Sequence, residues 1–303
     1  MAFSTTPVDL NRGSNSMSLP TELARDIWNM AESRSAVMQL AQRVELPGRG
    51  LSIPILAGLP QADFVGETHE KPISTGTPGL VTMRPYKIAC IVPFSKELVR
   101  DVPALYEEMR RVFPQALAAR FDDAVFNGPT PGTGFDTLAV SGFTGVDIAA
   151  DASGNTYQKI VAAAGMLAYT YGYSINGFAV NPYGKAFLMG AVDGDGHPLF
   201  NGVADGGLGN IIGAKVVESS VIDATDDNGE ECFGWMGDWT KARYGVVNDI
   251  EVTVSDQATL NDGNGGLIHL WQRNMVALRA EVEVGFVALP TAFKALYAAE
   301  ASE

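Results

Sequence analysis

A chain of 303 residues, 46% hydrophobic and 18% charged, can bury one large core or two smaller ones. Its 35 acidic against 21 basic residues leave a formal charge of −14, which repels phosphate and argues against sequence-specific nucleic-acid binding. Cys90 and Cys232 stand in apolar settings without CxxC spacing, which predicts reduced, buried thiols rather than a disulfide. The first residues lack the apolar core of a signal peptide, and no stretch is long and apolar enough to cross a bilayer, so a soluble protein without a membrane role is expected.

Residues 1–18, polar and rich in Ser, Thr and Asn, predict an arm with no core of its own. From Leu19 onward Leu23, Ile27, Met30, Ala31, Val37, Met38, Leu40 and Ala41 recur at helical spacing, as two short helices or one bent one. Strand-like runs follow at 50–56 and 80–94. Pro54, Pro85 and Pro93 exclude them from the centre of a sheet and predict an edge hairpin or an extended arm. The Gly- and Pro-rich connection between them is long for a compact domain, so residues 50–86 are read as a protruding loop whose partner is another subunit. Glu67, His69, Glu70 and Lys71 crowd that loop, either as a solvated face or as partners for a neighbour.

The stretch 95–126 reads as one long amphipathic helix. Leu105, Met109, Val112, Phe113, Ala116, Leu117, Phe121, Ala124 and Val125 form its apolar stripe, and Arg120 and Asp122 fall on other faces. Ser95 caps it, Pro103 is tolerated early, Pro114 should bend it, and Asn127-Gly128-Pro129 stops it. A second helix is predicted over 156–171, with Ile160, Val161, Ala164, Leu167 and Ala168 as its buried face. Then come a buried strand at 177–180, a helix capped by Asn181-Pro182, a turn at 193–196, and strands at 211–217 and 232–235. This alternation indicates an α/β or α+β domain within 140–245. Strands at 250–254 and 276–286, the latter buried on one side, are expected to cover the long helix, which makes the middle domain an insertion.

Motifs for chemistry are sparse. Asp193-x-Asp195-Gly196 lacks the further ligands of a calcium loop and reads as a plain turn. The glycines of GGLGN at 206–210 precede no Lys-Ser/Thr and have no dinucleotide spacing. His69, His197 and His269 form no ligand pair, and no serine or cysteine has a local activating companion. No catalytic, cofactor-binding or metal-binding residue is predicted; Asp193, Asp195 and His197 remain as the group an enzyme of unknown chemistry would use.

Several blocks then resemble one family, the major capsid proteins of tailed bacteriophages with the Hong Kong 97 fold. They are Leu19-Pro20 with the following ELARDIW, Asp63-Phe64-Val65-Gly66-Glu67 with Lys71-Pro72-Ile73, Ile91 to Leu98, and Phe126-Asn127-Gly128 with Gly132-Thr133-Gly134. Farther on are Asn181-Pro182, Asp195-Gly196-x-Pro198-Leu199-Phe200, Gly213-x-x-Val216-Val217 and Arg279 to Ala292. The resemblance implies an α+β subunit: an N-terminal arm and entry helix (1–49), an extended loop (50–86), a peripheral domain with the long spine helix (87–139 and 246–303) and an inserted axial domain (140–245). It implies pentamers and hexamers closing an icosahedral shell around double-stranded DNA in a virion assembled in the host cytoplasm, with no enzymatic role and no cofactor. Scaffolding, portal and cementing proteins would be separate chains, since about 18 residues precede the entry helix. Phe64, Glu67, Glu70, Lys71 and Arg84 are the candidate inter-subunit contacts. The same fold would also suit an encapsulin-type compartment around an enzyme. Some relatives join a loop lysine to an asparagine. Here Lys71, beside Glu70, and Asn261 or Asn264 are the candidates, in solvated surroundings that predict noncovalent shells.

Overall fold

The computed structural model describes residues 31, 34–57, 64–65, 77–97, 103–139, 145–149, 155–193, 195, 197–200, 208–223, 231–248, 250–261 and 266–297, with backbone alone over 54–57, 77–79 and 103–111. The chain forms two compact units. One draws on 1–34, 87–118 and 248–283, the other on 35–86, 119–247 and 284–303.

In the first unit, β4 (Tyr86–Ser95, from Lys87 onward) and β11 (Glu251–Ser255) both pair with β14 (Met275–Ala288), β11 in antiparallel register with Val252 opposite Ala280. The period-two pattern predicted for β14 is present: Leu278, Ala280 and Val282 are buried and Arg279 is exposed between them. Its polar side gathers charge. Lys87 lies 3.6 Å from Glu281 and 3.4 Å from Glu283, and Arg279 lies 3.5 Å from Glu281. A separate hairpin joins β12 (Thr259–Asn261) to β13 (Leu267–His269).

The second unit is built on a six-stranded sheet. Its order is β5 (Val146–Asp147), β15 (Phe293–Tyr297), β9 (Cys232–Gly237), β6 (Gly177–Val180), β8 (Ala214–Glu218) and β7 (Asn210–Ile211). β6 is buried throughout because both faces of the sheet are covered. On one face Phe178 and Val180 pack with Ile160 of the helix Thr156–Tyr171 and Leu188 of the helix Pro182–Met189. On the other, a Cβ at Gly177 would meet the Trp239 ring and Leu40 of α1 (Ala36–Leu40), so glycine lets that helix and ring approach the strand. The two long segments are α2 (Pro103–Phe126) and α3 (Thr156–Tyr171), and α4 is Pro182–Met189. The second unit also holds β1 (Gln42–Glu45), parallel to β10 (Ala242–Val246), which runs antiparallel to the end of β14. Phe121 of α2 rests on this layer at 6.4 Å from Tyr244 and 6.3 Å from Phe286.

Several boundaries differ from expectation. The run 80–94 is two strands, β3 (Thr77–Met83) and β4, because Arg84-Pro85 cannot continue a ladder. Helical conformation begins at Lys96 and Glu97, directly after Ser95, whose Oγ accepts from Glu97 N at 3.3 Å as a cap would. Residues 98–102 lie outside the described residues, and α2 runs from Pro103, where proline supplies the first helical position at no hydrogen-bond cost. Pro114 lies inside an uninterrupted helix, and Val112 and Ala116 are exposed where a buried stripe was expected. The run 211–217 contains a turn at Ile212-Gly213, both at positive φ. β15, from the 246–303 segment, pairs with β9, and β10, from the 140–245 segment, pairs with β14.

Candidate assembly interface

The segment 50–86 holds a hairpin. β2 (Leu51–Ala57) and β3 pair over seven positions, from Leu51 with Met83 to Ala57 with Thr77, a ladder of about 23 Å at strand rise. Its base is held by an apolar cluster of Leu46, Met83 and Val287, with Leu51, Ile53 and Val81 packed against it. The strand can enter so tightly because Gly50 sits at φ +88, 2.7 Å from Met83 O at the place a Cβ would occupy. The backbone N–H of Arg84 donates to Gly134 O at 2.8 Å, and Tyr86 Oη donates to Thr133 O at 2.9 Å, fastening the hairpin to the segment after α2.

Of the five residues nominated for inter-subunit contact, Arg84 stands exposed at this base. Phe64 lies in the connection beyond the far end of the ladder and is fully exposed. Glu67, Glu70 and Lys71 fall outside the described residues, as do Asn264 and His69; Asn261 is exposed in β12.

The chemical alternatives resolve into structure. Asp193 Oδ1 accepts from the backbone N–H groups of Asp195 at 2.9 Å and His197 at 2.8 Å, a turn that spends its carboxylate on its own backbone. Asp193, Asp195 and His197 are close enough to share a cation, yet two of the three are fully on the surface, as in an ordinary acidic turn. His269 Nδ1 pairs with Thr259 Oγ1 at 3.0 Å across the β12–β13 hairpin, far in sequence from His197. Both cysteines are free. Cys232 is buried, its thiol pushed up to about 12 by burial, and Cys90 is half-buried instead of buried.

A polar node that the sequence did not reveal sits on α2. Asp122 is 1% exposed, although its charge had placed it on an outer face. Its carboxylate accepts from Ser35 Oγ at 2.5 Å, from the N–H groups of Ala36 at 2.8 Å and Val37 at 3.4 Å, and from Ser219 Oγ at 3.4 Å. Ser35 Oγ in turn accepts from Met38 N and caps α1. One carboxylate thus ties α1, α2 and the end of β8 together. Burial raises its pKa to about 6, only partly opposed by these donors. The missed signal was positional: Asp122 stands four residues from Ala118 and from Phe126, both core positions.

The subunit thus carries a hairpin fastened at its base and a long helix, α2. The phage capsid family matches residues 16–297, and the chain belongs to that family. It is 32% identical over 280 residues to the "probable major capsid protein gp17" of Mycobacterium phage D29, covering 88% of this chain and 86% of that protein. It is 25% identical over 271 residues to the "major capsid protein" of Staphylococcus phage 80alpha, covering 88% and 80%. A solved structure from Mycobacterium phage Adephagia superposes with a TM-score of 0.71 at 22% identity over 89% of this chain and 91% of that one. The fold is the Hong Kong 97 capsid fold, and the chain is a major capsid protein that self-assembles into an icosahedral phage shell; its role in the virion is structural and not enzymatic.

Proposed function

We propose that the shell is made of pentamers and hexamers of this chain enclosing double-stranded phage DNA, with scaffolding, portal and cementing functions supplied by separate proteins. The observation that carries this reading is the family match across 16–297. Residues 87–139 and 246–303 serve as the peripheral domain and 140–245 as the axial domain, with β15 added to the axial sheet. The loop beyond β2 engages the neighbouring subunit through Phe64, Glu67, Glu70 and Lys71, and Arg84 does so at its base. A net charge of −14 suits a container whose wall does not grip the nucleic acid it holds. Electron microscopy of native particles, together with nuclease-protected DNA extracted from them, tests the reading. Monodisperse monomers under all assembly conditions, or shells filled with protein instead of DNA, would refute it.

A further inference from the structure

Helix α3 has two apolar faces where a surface helix needs one. Thr156, Ile160, Ala163 and Leu167 are buried against the sheet. Turned outward are Tyr157, Val161, Met166, Tyr169 and Tyr171, with Met166 68% and Tyr169 94% exposed. The solvent face of such a helix ordinarily carries charge. Here the one charged residue, Lys159, is folded inward: its ammonium donates to Ala149 O at 2.5 Å and lies 3.5 Å from the Asp147 carboxylate, leaving the side chain 13% exposed. The result is a strip about 24 Å long with no charge. Its enrichment in Tyr and Met matches the centre of a protein interface, where charge is depleted and aromatic residues anchor binding.

The occupant is a second copy of the chain. Rings of like subunits close through head-to-tail contacts, in which two different patches of each molecule meet. The sheet of the second unit offers such patches at opposite edges. β5 is the edge strand beside α3, where Thr156 Oγ1 donates to Ile148 O at 2.9 Å, and β7 is the other edge. There the β7–β8 turn holds Ile212, 46% exposed, at φ +51. A β-branched residue in the left-handed region costs conformational energy, and here it sets an apolar side chain at the tip of the turn.

We propose that the uncharged face of α3 is a contact within the capsomer ring, centred on Met166 and Tyr169 and filled by the β7–β8 turn of the adjacent copy. This rests on the shell reading above. Met166→Glu combined with Tyr169→Glu should leave the circular dichroism and unfolding midpoint of the subunit unchanged, yet yield no shells where the native chain forms them. In a Cys90→Ser background, Met166→Cys with Ile212→Cys, oxidised in assembled particles, should give a ladder of disulfide-linked subunits on a non-reducing gel. Each single cysteine variant should run as one band. Normal shell yield from the double glutamate variant, no ladder from the cysteine pair, or a ladder from Met166→Cys alone would overturn this contact and leave the shell reading standing. Failure of the native chain to form shells under the same conditions would remove both.

Discussion

Asp122 shows how one carboxylate can fasten three segments and make their union depend on pH. Its ordinary value of 3.8 describes the unfolded chain, and burial raises it to about 6 in the fold. Between those values the folded subunit holds the extra proton, so this group adds stability as the pH falls from about 7 to 4. That contribution is lost as the pH rises through 6, and its full size is about 3 kcal/mol. Asp122→Asn cannot titrate, so the stability of the native subunit relative to this variant should increase on acidification; urea unfolding of both at pH 7 and pH 5 measures it. A difference that does not change with pH would show that Asp122 titrates normally. At neutral pH, Asp122→Ala should destabilise by about 1–3 kcal/mol, because the N–H groups of Ala36 and Val37 would lose a buried acceptor.

At the scale of elements, α2 and the β2–β3 hairpin have separable roles. Leu117 is buried on α2, and Leu117→Asp would bury an unpaired charge at a cost of several kcal/mol, about 3 or more. Arg120 is exposed and paired with Asp123 one turn on, so Arg120→Ala should cost about 0.5 kcal/mol or less. Denaturant midpoints of the two variants should differ accordingly. For the hairpin, replacement of residues 58–76 by a short Gly-Ser link spares Thr77 and Pro78, which pair with Ala57 and Leu56. The apolar cluster at its base stays whole. The variant should unfold cooperatively as the native subunit does and yet fail to form shells by electron microscopy. Loss of cooperative unfolding would mean the loop belongs to the subunit core.

For the whole particle, the expectation is a shell without covalent bonds between subunits. A lysine must shed its proton to attack an amide, which requires a dry setting and a positioned base. Asn261, one of the two candidate acceptors, is exposed. Mature particles boiled in denaturing detergent should therefore run as a single subunit band. A ladder of covalent oligomers that disappears in Lys71→Ala would show the opposite.

Local pattern alone determined much of this protein. Alternation along β14, the Asn181-Pro182 cap of α4, the Asn-Gly stop of α2 and the ordered family blocks are short-range signals. They survive in sequence because neighbouring residues create them. The long proline-punctuated stretch likewise announced the β2–β3 hairpin. Only the tertiary structure decided which of two apolar faces of α3 is buried. Ile160 and Leu167 are covered while Val161 and Ala168, assigned to the same stripe, face outward, because periodicity cannot rank faces that are equally apolar. It alone turned Asp122 inward, since the donors that make a buried carboxylate tolerable come from residues 85 or more positions away in sequence, Ser35, Ala36 and Val37 on one side and Ser219 on the other. And it alone placed β15 beside β9 and β10 beside β14, because strand pairing is a choice among distant partners whose backbone hydrogen bonds are identical.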